Sequence, residues 1–344
     1  MKRWKILCVG DNYITAEHFQ SGFNELSKDH DVRIIQLDIG RKSKFITESE
    51  KSLSEYRGSP EQLIEEVGDS EILVVHVAPV TREVIESGKN LKLIACARGG
   101  PVNIDVKAAY EMNIPVINAP GRNANAVAEL VIGLLIALCR RIVISYNNLK
   151  NFGLWRLESY EGIELTGKRL GLIGLGHVGY LVAQKAKALG MDVVAYDPYV
   201  SKDRVPPDIK LVDLKTLLIT SDFVSIHARL TGETKGMIGE KELELMKPTA
   251  YLINTARGPI IDEKALYRAL KDGKIAGAAL DVFEEEPLKP DNPLLKLDNV
   301  ILTPHIGGFT REVRLNSIKI ISDDIKRFIR GENPINIYRI PIMK

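Results

Sequence analysis

The sequence predicts an α/β protein built from two doubly wound parallel-sheet domains, on three observations. Apolar runs of strand length recur along the chain between amphipathic or polar segments, the pattern of a parallel sheet covered by helices. A turn cluster, Asn118-Ala119-Pro120-Gly121, interrupts that pattern, and after a long helical run it starts again. The 344 residues correspond to about two domains at roughly 150 residues each, with length for a sizeable core in both.

In chain order, residues 6–9, 32–37, 72–77, 93–97 and 116–118 read as the first set of strands. Residues 122–142 follow, with Val127, Leu130, Val131, Leu134, Leu135 and Leu138 at helical spacing, and predict one long buried helix. The second set is 169–173, 193–196, 223–226, 251–254, 278–281 and 300–302, six strands, the number in a complete dinucleotide-binding fold. Residues 180–189 have helical character and end at Gly190. The tail, 311–330, is helical through Val313, Ile318, Ile321, Ile325 and Phe328. The polar segment 44–57 carries no repeat and reads as a surface excursion.

Composition narrows the function classes. Hydrophobic residues are 45% and charged residues 27% of the chain, an ordinary globular balance. The 47 Lys and Arg against 45 Asp and Glu leave a net charge of +2, too even for attraction to a phosphate backbone, so nucleic acid is not an expected partner. Cys8, Cys96 and Cys139 all lie in apolar runs, which suits reduced, buried thiols and implies neither a disulfide nor a zinc framework. Met1-Lys2-Arg3-Trp4 leads directly into the first strand without a signal-peptide core. The longest uncharged apolar stretch, 130–139, falls far short of the roughly 20 residues of a membrane span. The expectation is a cytoplasmic protein that does not enter a membrane.

The motif Gly174-x-Gly176-x-x-Gly179 would mean little alone, but it follows an apolar strand and opens a helix. In that setting Gly174 permits the sharp turn, Gly176 lets the backbone approach a pyrophosphate and Gly179 permits close helix–strand packing. The helix N-terminus then offers free N–H groups to the anion. The next strand ends in Tyr196-Asp197-Pro198, placing Asp197 where a carboxylate accepts hydrogen bonds from ribose hydroxyls and repels a 2′-phosphate. No Arg stands immediately beside it, which favours NAD over NADP.

Three later segments put a polar group just past a predicted strand, where open α/β sheets bind ligands. Arg257 stands in Asn254-Thr255-Ala256-Arg257-Gly258-Pro259, Glu286 in Asp281-Val282-Phe283-Glu284-Glu285-Glu286-Pro287, and His305 in Thr303-Pro304-His305-Ile306-Gly307-Gly308. Singly, each reads as an ordinary surface charge or a satisfied imidazole. Together they match hydride exchange at C2 of a 2-hydroxy acid. Arg257 would fork onto the substrate carboxylate, His305 would move the hydroxyl proton, and Glu286 would orient the imidazole from its other nitrogen. Asp281, at its strand end, could hold a nicotinamide carboxamide.

These four motifs, in order and spacing, resemble the D-isomer-specific 2-hydroxyacid dehydrogenase family, most closely its 3-phosphoglycerate dehydrogenase branch, over nearly the whole chain. The resemblance implies Arg257, Glu286 and His305 as catalytic residues. It implies that Gly174, Gly176, His177, Val178, Gly179, Asp197, Ala228, Thr255, Ala256, Arg257, Asp281, His305, Gly307 and Gly308 contact or surround NAD. The loop Arg98-Gly99-Gly100-Pro101-Val102-Asn103 resembles the one whose N–H groups hold the substrate carboxylate. A flavodoxin-like substrate domain, 1–117 with 312–344, and an inserted Rossmann NAD-binding domain, 118–311, are expected, with the active site in the cleft between them and a homodimer formed through the nucleotide domain and its long helix. No metal is implied, and no appended regulatory domain is expected after Arg330.

The chain also departs from the branch. Val75-His76-Val77 stands where phosphoglycerate dehydrogenases read Val-Arg-Ser, which counts against a phosphate-bearing substrate. Arg229 and Arg98 replace a Pro and a small residue, and each is a candidate anion contact or a solvated side chain. The substrate therefore stays open among 2-keto and 2-hydroxy acids, 3-phosphoglycerate and related sugar acids included. The other reading is an NAD(H)-sensing binding protein like the corepressors that share this fold.

Overall fold

The computed structural model describes residues 2–40, 48–51, 53, 55–155 and 157–340. The chain forms two compact units, residues 1–123 with 310–344 and residues 124–309. Part of the 44–57 excursion, residues 44–47, 52 and 54, lies outside the described residues, and of its described part Glu50 and Leu53 are buried.

In the first unit β1 (Lys5–Gly10), β2 (Asp31–Gln36), β3 (Ile72–Val75), β4 (Leu93–Cys96) and β5 (Val116–Asn118) form a parallel sheet in the order β2-β1-β3-β4-β5. That is the flavodoxin-like order, with its switch between β1 and β3. The runs are apolar without interruption because successive side chains enter different cores. Ile6 and Cys8 of β1, with Ile72 and Val74 of β3, pack against Phe19, Phe23, Ile318, Ile321 and Ile325 of the helical layer on one face. Leu7, Val9, Leu73 and Val75 pack against Leu63, Val67, Val84 and Ile85 on the other. The helix Arg311–Ile329 thus belongs to this unit.

In the second unit β6 (Arg169–Ile173), β7 (Asp192–Tyr196), β8 (Lys210–Leu211), β9 (Phe223–Ile226), β10 (Tyr251–Asn254), β11 (Gly277–Leu280) and β12 (Val300–Leu302) form a parallel sheet in the order β12-β11-β10-β9-β6-β7-β8. It has seven strands where the sequence predicts six. The extra one, β8, is two residues long and only partly buried, too short to register as an apolar run. Order reverses where β6 pairs with β9, Leu170 opposite Phe223, and that switch point is where such sheets bind ligands.

The helical run after the turn cluster is two helices, Ala124–Cys139 and Ile142–Phe152, not one. Arg141 between them has φ +52°, and the Cys139 carbonyl accepts the N–H of Ile163 instead of continuing the helix. The crossing strand of chain comes so close that a Cβ at Gly162 would lie 2.5 Å from that carbonyl oxygen. The helix predicted from residue 180 begins earlier, at His177, with Gly176 as its N-cap, so the glycine motif is itself the first turn.

Candidate active site

Three glycine positions decide the nucleotide loop. Gly174, φ +97°, lies so close to the chain after β9 that a Cβ there would sit 2.8 Å from the Ala228 nitrogen. At Gly179 a Cβ would be 2.2 Å from the Gly174 carbonyl oxygen, which is the close helix–strand packing. At Gly176 a Cβ would meet nothing within 4 Å, so this face of the helix N-terminus opens to a ligand. His177 is exposed and Val178 partly buried at the same end.

Asp197 follows β7, partly exposed. Its Oδ2 accepts the Leu175 N–H at 2.8 Å, and Oδ1 accepts the N–H groups of Tyr199 at 2.9 Å and Val200 at 3.0 Å. The carboxylate therefore ties the glycine loop to the end of β7 while retaining acceptor capacity for hydroxyls. We expect Asp197→Ala to relax the preference for NAD, raising the NADP-to-NAD ratio of kcat/KM by about tenfold, through loss of repulsion on a 2′-phosphate. Steady-state kinetics with both cofactors checks this, and an unchanged ratio removes the ribose role.

Two buried atoms near this loop have no partner among the described residues, Nε2 of His227 and Oγ1 of Thr255. Burial pulls the His227 pKa down to about 3, so its imidazole is neutral near pH 7. Orphaned buried polar atoms just past β9 and β10, with the helix N-terminus open at Gly176, fit a polar ligand such as a dinucleotide. His227 was missing from the sequence-derived set, and its only signal was a polar residue directly after an apolar strand.

His305 and Glu286 are brought together as the sequence suggested. His305 Nδ1 lies 2.7 Å from Glu286 Oε2, and Glu286 Oε1 accepts the Phe283 N–H at 3.0 Å. The carboxylate is thus held from behind by backbone, and the imidazole presents Nε2 outward on an exposed side chain. His305 has φ +53°, a left-handed conformation that a non-glycine residue adopts only when its surroundings impose it.

Those surroundings are Asp281. Buried at the end of β11, it accepts the Thr303 hydroxyl at 2.6 Å and the Ile306 N–H at 2.8 Å on Oδ1, and the Gly307 N–H at 2.8 Å on Oδ2. It brackets His305 on both sides. Its contacts in this structure are all with this loop. A Cβ at Gly307 would lie 2.9 Å from Asp281 Oδ2, which explains the glycine there.

Arg257 is exposed, and Nη1 donates to the Ala256 carbonyl at 2.7 Å. Its loop is braced by buried Asn254, whose Oδ1 accepts the Ala256 N–H and whose Nδ2 donates to the Arg257 carbonyl, both at 3.0 Å. Gly258 joins this loop to the Glu286 loop, since a Cβ there would be 1.9 Å from the Phe283 carbonyl. All of these residues lie in the second unit. Arg98, Gly99 and Gly100 lie in the first, at the end of β4. There Asn118 Nδ2 donates to the Gly99 carbonyl at 2.8 Å, while the space at Gly100 is open.

Similarity to known proteins agrees with this geometry. Residues 132–307 match the NAD binding domain of the D-isomer specific 2-hydroxyacid dehydrogenases. The chain is 49% identical over 285 residues to a D-3-phosphoglycerate dehydrogenase of Archaeoglobus fulgidus, covering 82% of this chain and 54% of that one. It thus spans about half the length of that relative. It is 41% identical over 292 residues to a glyoxylate reductase of Korarchaeum cryptofilum, covering 83% and 88% of the two chains. Among solved structures, the NAD complexed form of a D-isomer specific 2-hydroxyacid dehydrogenase from Lactobacillus delbrueckii ssp. bulgaricus superposes with a TM-score of 0.77 at 26% identity, covering 97% of this chain and 100% of that one. With a glycine loop and acidic strand end built for NAD, and a carboxylate-held histidine and exposed arginine on neighbouring loops of the same sheet, the chain belongs to the D-isomer-specific 2-hydroxyacid dehydrogenase family.

Proposed function

We propose that the protein is an NAD-dependent dehydrogenase that interconverts 2-keto acids and D-2-hydroxy acids, 3-phosphoglycerate or a related sugar acid among the candidate substrates. The observation that carries this reading is the His305–Glu286 pair, 2.7 Å apart, with Nε2 directed away from the carboxylate. NADH, when bound, supplies the hydride. The residues Gly174, Gly176, His177, Gly179 and Asp197 would hold it, and His227 and Thr255 offer buried polar atoms beside it.

The remaining chemistry belongs to side chains of this chain. Arg257 binds and orients the substrate carboxylate, because its guanidinium keeps its charge and can donate two parallel hydrogen bonds. Nε2 of protonated His305 gives its proton to the C2 oxygen as the carbonyl is reduced, and takes it back in the oxidative direction. Glu286 fixes the ring through Nδ1 and stabilises the imidazolium. A panel of 2-keto acids followed by NADH absorbance tests the reading: at least one is expected to be turned over, and none being reduced would end it.

We further propose a homodimer through the second unit. The helix Ile142–Phe152 supports this by exposing Ile142, Val143, Tyr146, Leu149 and Phe152, a continuous apolar face of the kind that marks an interface. The three buried cysteines, with burial pushing the Cys96 thiol up to about 12, suit the reducing conditions of a cytoplasm. Among the described residues no helix is long and apolar enough to cross a membrane.

A further inference from the structure

Arg98 and Arg229 are the two cations that the sequence places unexpectedly, and their surroundings differ. Arg98 is committed: its guanidinium pairs with the Glu55 carboxylate and donates to the Glu55 carbonyl at 3.0 Å. Arg229, just past β9, is exposed, and no described residue hydrogen-bonds or ion-pairs its guanidinium.

The main chain that carries Arg229 is fixed in place. The Arg229 carbonyl accepts the Thr234 hydroxyl at 2.6 Å, and the oxygen of that hydroxyl accepts the Thr231 N–H at 2.8 Å. The Glu233 carboxylate accepts the Tyr199 hydroxyl, which ties this loop to the end of β7. Upstream, a Cβ at Gly174 would lie 2.8 Å from the Ala228 nitrogen, and one at Gly179 would lie 3.7 Å from His227 Cβ. Residues 227 and 228 are therefore packed against the glycine loop, and Arg229 is the next residue along.

The acids near this corner of the second unit are committed to other groups. Asp197 accepts the N–H groups of Leu175, Tyr199 and Val200, and Glu233 accepts from Tyr199. The helix His177–Ala188 starts here with no acidic residue in its first turn and with open space at Gly176. His227 adds an unpartnered buried Nε2 but no charge, because burial keeps its imidazole neutral near pH 7. Helix N–H groups, an orphaned imidazole nitrogen and an unpaired guanidinium thus stand on adjoining segments, a set of donors that suits a phosphate group.

We propose that Arg229 binds the diphosphate of the dinucleotide, adding a charged side chain to the backbone N–H groups of the helix N-terminus. This rests on the NAD reading of the second unit and not on the identity of the acid substrate. The ribose 2′ position is the poorer target, because the Asp197 carboxylate would repel a phosphate there.

The test measures binding without turnover, in the wild-type protein, Arg229→Gln and Arg229→Lys. NADH is titrated by its fluorescence, and ADP-ribose, adenosine and NADPH are measured by competition against it. At low ionic strength the Kd of NADH and of ADP-ribose is expected to rise about three- to tenfold in Arg229→Gln, the scale of one exposed ion pair. The gap should close to less than about twofold at about 1 M salt, where the Debye length is about 3 Å. Arg229→Lys keeps the charge but not the fork and should retain part of the affinity. Adenosine, which has no phosphate, should bind the wild type and the Gln variant equally. An equal loss for adenosine would mean that Arg229 shapes the loop instead of binding phosphate, and a loss confined to NADPH would move its contact to the 2′-phosphate; either overturns the proposal. Equal NADH affinity in wild type and Arg229→Gln overturns it alone, whereas a wild type that binds neither NADH nor ADP-ribose overturns the NAD reading with it.

Discussion

Replacing His305 by Gln is expected to lower kcat for 2-keto acid reduction by about 10²–10⁴-fold, roughly 3–5 kcal/mol of transition-state stabilisation, while NADH affinity stays nearly intact. Gln fills similar space and can bond to Glu286, but it cannot donate and recover a proton near neutral pH. The loss should appear in kcat, since proton delivery is needed at the transition state and contributes little to ground-state binding. NADH fluorescence titration gives the affinity, and single-turnover reduction gives the chemical step. A variant that reduces substrate at the wild-type rate would remove His305 from proton transfer and with it the proposed function.

The second large effect is expected at a residue without a functional group. In Gly258→Ala the new Cβ would lie 1.9 Å from the carbonyl carbon and oxygen of Phe283 and 2.5 Å from the Glu284 nitrogen. Backbone atoms cannot rotate aside as a side chain can, so the Arg257 loop and the Glu286 loop must separate. The expected cost is about 3 kcal/mol of stability or more, at the upper end for overpacking. kcat/KM should fall about 100-fold, because Arg257 shifts relative to the Glu286–His305 pair. Urea denaturation reads the first and steady-state kinetics the second. Unchanged stability would show that the two loops do not need to touch.

The contrast between these two positions explains how far residue types carried the reading. His305, Glu286, Arg257, Gly174, Gly176 and Asp197 were legible because each has a chemistry or a conformational freedom that its task demands, at short, regular spacing after a strand. Asp281 was legible as a strand-end acid but not as the anchor of the histidine loop, because its partners lie 25 and 26 residues further on and meet it only when β11 and β12 pair. The break at Arg141 was hidden for a similar reason: apolar spacing continues through it, and the helix stops because residues 162–163 take its terminal carbonyl. Strand β8 escaped because two residues carry no periodicity.

Hydrophobic pattern alone was enough for the α/β class and the two sets of strands, since apolar periodicity reports directly which face of a segment avoids water. Local motif chemistry was enough to single out the glycine loop and the three side chains proposed to react. Which groups share a hydrogen bond, which glycines are indispensable and where an arginine is left without a counter-charge depended on sheet order and close packing. Those are properties of chain segments far apart in sequence, and no residue type encodes its distant neighbour. Arg98 and Arg229 show the difference: in the chain both are loop cations, and only the fold pairs the first with Glu55 and leaves the second without a partner among the described residues.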